Sequence, residues 1–237
     1  MSPRLRLRSL VPACVPALLL GGAACGVVLT DLAQRDLVVE PAERMTVVSE
    51  GGAVEVYAYD RNGINLFYYM RGSFKDIGDI GYQFSEDGKT LEVQSLCDRD
   101  DFCDVSWTIE IPTNIGTAVE VETHRGGAKL TGIVGDVVAD VSGGGFDGVG
   151  LRSDVLDVVV EAGDAVVEML EPPTSLLLDV GDGNVELTLP PGSYRCELTT
   201  GDGEIDETDV ACDPMATALV QVTVDVGDIT LLQGAAP

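Results

Sequence analysis

From Gly126 to Gly234 the chain repeats one short pattern: a turn of small residues, then a stretch in which apolar and polar positions alternate. Val137, Ala139 and Val141 alternate with Val138, Asp140 and Ser142, and Leu156, Val158 and Val160 alternate with Asp157, Val159 and Glu161. Further on, Val185, Leu187 and Leu189 face away from Glu186 and Thr188. Tyr194, Cys196 and Leu198 face away from Arg195, Glu197 and Thr199, and Ala218, Val220, Val222, Val224 and Val226 from Leu219, Gln221, Thr223 and Asp225. A period of two in β-branched residues predicts strands with one buried face. The separating turns are Gly126-Gly127, Gly143-Gly144-Gly145, Gly163-Asp164, Gly181-Asp182-Gly183, Gly201-Asp202-Gly203 and Gly227-Asp228. Their first residues lie 17, 20, 18, 20 and 26 positions apart. Glycine accepts the positive φ of a sharp reversal and aspartate bonds its own backbone there, so these residues punctuate the chain without needing to bind anything.

Each repeat of about 20 residues holds two strands of ~5–6 residues, too little to bury a stable core alone. Stacking must supply that core. Either successive coils lie parallel and in register, as in a β-helix, or consecutive strands pair as antiparallel hairpins; the short Pro190-Pro191-Gly192-Ser193 link suits both. The whole-repeat period favours an all-β, β-helix-like domain over residues 113–233, with an antiparallel β-sandwich as the alternative.

Before the repeats the pattern changes. Tyr57 and Tyr59 approach Arg61-Asn62-Gly63, Ile64 to Tyr69 leave it, and Phe84 meets Leu91 across Glu86-Asp87-Gly88-Lys89. Asn-Gly and Asp-Gly between apolar alternations are strong hairpin signals, so residues 45–112 are expected to be a hairpin-built β region. It holds Tyr57, Tyr59, Phe67, Tyr68, Tyr69, Phe74, Tyr82 and Phe84. Such a cluster can form a glycan or peptide platform; a small sheet core is the simpler expectation. Residues 25–44, polar with short apolar interruptions, are expected to be a tether, with order beginning near Met45.

The first 24 residues read as an export signal: Arg4, Arg6 and Arg8, an apolar stretch from Leu10 to Ala24, then Cys25. The segment Leu20-Gly21-Gly22-Ala23-Ala24-Cys25 resembles a bacterial lipoprotein box, which makes Cys25 the candidate lipidation site. Gly22 stands where that motif usually has Leu, and two readings compete: an ordinary cleavage after Ala24, and an uncleaved anchor over Val11 to Thr30, against which the prolines and paired glycines argue. The expected location is therefore the bacterial cell envelope, lipid-anchored, with a secreted or periplasmic protein as the alternative. Removing residues 1–24 takes away three arginines and no acids, leaving 11 Lys+Arg against 40 Asp+Glu, a net charge of −29. That charge repels phosphate backbones and excludes nucleic acid as a natural partner.

In an oxidising compartment the four remaining cysteines pair. Cys97 and Cys103 flank the polar Asp98–Asp101 stretch and suit a small closed loop; Cys196 and Cys212 then form the second bridge, across the Gly201-Asp202-Gly203 turn. Catalytic chemistry finds no pattern: the single histidine, His124, has no nucleophile motif with it, and with 40 acids a close carboxylate pair has no specificity. Cys97-x5-Cys103 does not have zinc spacing. The recurrent Asp turns raise calcium as a hypothesis, but the Gly-Gly-x-Gly-x-Asp nonapeptide is missing, and solvated turns are the default. No cofactor or metal is expected.

The order of parts resembles the bacterial putative-adhesin family of β-strand-repeat domains of unknown function. The strand Val54-Glu55-Val56-Tyr57 leads to Gly88-Lys89-Thr90-Leu91-Glu92-Val93. Ile109-Glu110-Ile111-Pro112 then opens the repeats that begin at Gly135-Asp136-Val137, and the likeness spans about residues 45–233. The resemblance implies a right-handed parallel β-helix-like domain outside the cytoplasmic membrane and carries over no catalytic residue. The expected function is a non-enzymatic adhesion or recognition scaffold, with a protein or glycan partner and a membrane anchor. An envelope-stress or regulatory sensor and a β-helix carbohydrate-active enzyme are the alternatives.

Overall fold

A computed structural model describes residues 30–38, 42–60, 62–72, 77–97, 103–207 and 210–235. All regular structure among them is β. The early strands are β1 (Thr30–Val38), β2 (Arg44–Ser49), β3 (Val54–Tyr59), β4 (Ile64–Gly72), β5 (Ile77–Phe84), β6 (Thr90–Cys97) and β7 (Cys103–Pro112). There follow β8 (Ala118–Thr123), β9 (Ala128–Thr131), β10 (Val137–Val141), β11 (Phe146–Leu151), β12 (Val155–Ala162), β13 (Ala165–Met169), β14 (Ser175–Asp182) and β15 (Val185–Leu189). The last are β16 (Arg195–Asp202), β17 (Ile205–Asp206), β18 (Leu219–Val226) and β19 (Ile229–Gln233).

They form two sheets. The first, of ten strands, runs β1-β4-β7-β3-β9-β11-β13-β15-β19-β17; the second, of nine, runs β16-β18-β14-β12-β10-β8-β2-β6-β5. From β6 onward the chain winds between them, one strand in the second sheet and the next in the first, and from β8 to β15 like strands of successive coils pair in parallel. Val119, Val137, Leu156 and Leu176 lie in register, so these coils are 18, 19 and 20 residues long. β15 and β16, joined by the Pro190–Ser193 link, lie in different sheets, which decides for the β-helix-like arrangement over consecutive hairpins.

Apolar columns fill the space between the sheets. In the second sheet one column is Leu91, Met45, Val119, Val137, Leu156, Leu176 and Val220, all buried. In the first sheet Phe146 is flanked one rung on either side by Ala128 and Ala165, small residues that leave room for its ring. The facing expected for β15 holds, with Val185, Leu187 and Leu189 buried and Glu186 exposed; on β18 Val220, Val222 and Val224 are buried, but Val226, expected on the same face, is 50% exposed where the strand ends at the Gly227 corner.

The corners from second to first sheet stack as well. The N–H of Gly126 donates to the carbonyl of Gly143 (2.8 Å), that of Gly144 to Ala162 (3.1 Å) and that of Gly163 to Asp182 (2.9 Å). At Gly163 φ is +134°, and a Cβ there would fall on the carbonyl oxygen of Gly144, so only glycine fits the rung. Beside this ladder the turn side chains bond upward. Asp164 Oδ1 accepts the backbone N–H of Asn184 (2.8 Å), Asn184 Oδ1 that of Asp228 (3.0 Å), and Asp228 Oδ1 that of Glu204 (2.8 Å). The acidic turns thus bond from rung to rung, and no group of three metal-ligating side chains forms among the described residues.

At both ends the stacking order departs from chain order. The coil β2–β3 is clamped between β6–β7 and β8–β9, and β18–β19 between β14–β15 and β16–β17. The long step from Gly201 to Gly227 is the stretch in which the chain passes the outermost coil and returns to the inner one. Within it Cys212 pairs in parallel beside Tyr194, and the Cys196–Cys212 disulfide closes with Cα atoms 5.5 Å apart.

Three expectations change. The parallel coil reaches into residues 45–112: β2 and β3 pair in parallel with β8 and β9. The Asn62-Gly63 turn does not join partners, because β7 lies between β3 and β4, whereas the Glu86–Lys89 turn does join the antiparallel β5 and β6. Local turn chemistry bends the chain without fixing which strand fills the neighbouring slot. The stretch assigned to a tether contains β1, which adds to β4 antiparallel from Thr30 to Val38. Cys25, the loop 98–102 and the side chains of Cys97 and Cys103 lie outside the described residues.

Candidate functional site

The outer face of the first sheet at its N-terminal end carries the least expected feature. Val54 and Val56 point inward on β3, so Tyr57 and Tyr59 point outward. On β4, Leu66 and Met70 are buried, and Phe67 and Tyr69 face out. Tyr59, Phe67 and Tyr69 are 46%, 39% and 41% exposed. The aromatic residues of this region are therefore divided. Tyr68, Phe84 and Trp107 pack inward, with Tyr68 and Trp107 ring centroids 5.1 Å apart; Tyr57, Tyr59, Phe67 and Tyr69 lie on the outer face of the first sheet, and Tyr82 is exposed on the second. Period-two alternation could have found them, because Tyr57, Tyr59, Phe67 and Tyr69 each stand two residues from one another on a strand; counting aromatics without phase concealed it.

Strand β7 separates the two pairs and lines the floor between them. In register, Phe67 faces Thr108, which faces Glu55, and Asn65 faces Glu110, which faces Tyr57. Two strand spacings put the β3 and β4 side chains about 10 Å apart, and residues i and i+2 along a strand are about 7 Å apart. Tyr69 and Phe67 on one flank and Tyr57 and Tyr59 on the other thus make a diagonal band across a polar floor. That floor is fixed by its own bonds: Asn65 Nδ2 donates to Glu110 Oε2 (2.6 Å), and the Tyr57 hydroxyl donates to Glu55 Oε2 (2.8 Å). Partial burial, then that carboxylate, raises the ionisation of Tyr57 above its ordinary 10.0. Lys129 bounds the band on the next strand, its ammonium 2.6 Å from Asp147 Oδ2, which keeps it protonated to higher pH than usual. Thr131, beside Tyr57 in register, has a covered hydroxyl without a hydrogen-bond partner.

The outer face of the second sheet is different. Val138 and Asp140, Asp157 and Val159, and Leu177 and Asp179 occupy equivalent outward positions on three successive rungs. Across these three rungs acid and apolar residue exchange places, so like charges are not directly opposite there, whereas Asp140 faces Glu122 on β8. His124 is exposed at the end of β8 with Nε2 3.7 Å from Glu122 Oε1; no nucleophile–base–orienter arrangement surrounds it among the described residues. The bridge Cys196–Cys212 is the one sequence-derived site formed within the described side chains.

No protein-family model matches the chain, and no curated protein matches it in sequence. Among solved structures it is similar to a Clostridium sporogenes protein described as a putative cell adhesion protein: 14% identity, TM-score 0.55, 86% of this chain and 100% of that one. Structures described as putative adhesins align with lower scores. One from Parabacteroides merdae has 10% identity and TM-score 0.36 over 86% and 96% of the two chains; one from Bacteroides fragilis has 12% and 0.35 over 86% and 97%. The likeness to the Clostridium protein is one of fold.

Proposed function

We propose that this chain is a non-enzymatic recognition scaffold of the bacterial cell envelope, and that it binds neutral carbohydrate on the outer face of its first sheet. The observation that supports the reading is the outward placement of Tyr57, Tyr59, Phe67 and Tyr69 around Glu55, Asn65, Thr108 and Glu110. A sugar ring offers an apolar C–H face and a rim of hydroxyls. Aromatic rings accept the first at little conformational cost, and carboxylates and amides accept the second. A strand-mounted constellation is pre-ordered, so little is spent on arranging it. With a net charge of −26, the protein disfavours anionic glycans. The basic, apolar and small-residue start of the chain, ending in Ala23-Ala24-Cys25, supports export with a lipid anchor at Cys25.

A neutral-glycan array tests the reading. The wild-type protein is expected to retain a defined set of glycans intact, and Tyr57→Ala combined with Phe67→Ala to lose them at least tenfold with an unchanged melting temperature. Equal binding by both proteins, or no glycan bound by either, overturns it; release of reducing ends would favour the carbohydrate-active enzyme instead.

A further inference from the structure

The second sheet ends on one side at the antiparallel β5, whose strand neighbour is β6, and on the other at β16, whose single strand neighbour is β18. Backbone direction alternates along β16. The N–H of Arg195 donates inward to Ala218 O (2.8 Å). Tyr194 faces the opposite way, its N–H donating to Ala211 O (3.1 Å) and its carbonyl accepting from the Asp213 N–H (2.7 Å). The same alternation directs the backbone groups of Cys196, Leu198 and Thr200 to that outer side. Among the described residues no strand pairs with them there. Residues 211–213 begin a rung outside β16 and then turn away at Asp213-Pro214, so the rung stops after Cys212. The core is open here too: Leu198 is only half-buried although it faces inward, and Ile205 is 42% exposed.

We propose that this unfinished rung is a strand-acceptor site for an extended basic segment of a partner protein. Charge selects the occupant. Glu197 and Asp202 stand on β16 itself, Glu204, Asp206, Glu207 and Asp213 follow it in the same outermost stretch of chain, and the one cation of that stretch, Arg195, lies 3.4 Å from Glu197. A second copy of this chain would bring the same acids against themselves, which disfavours edge-to-edge dimers. An added strand with apolar residues at alternate positions would cover Leu198, and lysines or arginines between them would lie beside Glu197. Main-chain hydrogen bonds would supply affinity, and the alternation would supply specificity. The site lies on the opposite end of the stack from the aromatic band and does not depend on it.

The probe is a capped heptapeptide of alternating lysine and valine, titrated by calorimetry into the full chain with its disulfide intact. One-to-one binding is expected, weakened at least tenfold between low and high salt, and unchanged in the Tyr57→Ala protein. Leu198→Pro, which removes an outward N–H without touching the ladder to β18, is expected to abolish binding, and Glu197→Lys to weaken it at least tenfold. The same peptide with N-methyl groups on alternate residues cannot pair as a strand and is expected not to bind, which keeps the test decisive even where Leu198→Pro disturbs folding. Equal binding of the N-methylated peptide, undiminished binding to Glu197→Lys, or no binding of the parent peptide overturns the proposal.

Discussion

Phe146 and Gly148 share one space in the first sheet: a Cβ added at Gly148 would stand 3.0 Å from Phe146 Cε1 and 2.9 Å from Leu151 Cδ1. Gly148 lies where the neighbouring rungs carry Leu130 and Val167, so the missing side chain is replaced by the ring of Phe146 and the tip of Leu151. Gly148→Ala is expected to overpack the core and destabilise by about 1–3 kcal/mol. Combining it with Phe146→Leu should cost less than the sum of the two changes, because the second makes the room that the first needs. Urea midpoints of the four proteins of this cycle measure the coupling; strict additivity would show that the two side chains do not compete for the site.

The stacked corner makes a sharper demand. Gly163→Ala places a methyl group on the Gly144 carbonyl at a φ of +134° and is expected to destabilise by more than about 2 kcal/mol. Gly81→Ala meets nothing within 4 Å and should stay within about 0.5 kcal/mol of wild type. Thermal melts of the two variants side by side check the contrast, and equal losses would mean that the corner relaxes freely.

Reducing the bridge should loosen one end. Cys196 and Cys212 are 16 residues apart, and opening a loop of that size releases about 3 kcal/mol of constraint on the unfolded chain in the entropic account. The Cys196→Ala, Cys212→Ala protein is expected to show faster amide exchange in β16 than in β12, because the bridge lies at the outermost coil. Uniform exchange across both strands would place its effect in the unfolded chain alone.

High pH should act through two tyrosines. Burial raises the ionisation of both Tyr57 and Tyr194 above 10.0, with the Glu55 carboxylate adding to the effect at Tyr57. A folded value above the unfolded one means that the stabilisation is complete below the unfolded value and is lost as pH rises through the folded one. Urea midpoints at pH 9 and about pH 11 should therefore fall less in Tyr57→Phe and in Tyr194→Phe than in wild type. The same fall in all three proteins would contradict the assignment.

The alternation of single strands was legible in the chain because it is a local property: a side chain on a strand points to one face or the other, and Leu187 beside Glu186 announces which. The period near 20 was legible for the same reason, since each corner needs its own glycine. So was the Cys196–Cys212 bridge, once export was assumed and the other cysteines were paired or set aside. Position in the stack was not legible. Whether β3 lies beside β4 or beside β7 depends on which edge is free when each strand arrives, and a turn such as Asn62-Gly63 is satisfied by either. The outward aromatics were visible as residues and not as a surface, because Phe67 and Tyr57 belong to strands that meet only through β7. The open edge of β16 likewise exists only because the chain places its final coil inside the one before it, an order that no local pattern records.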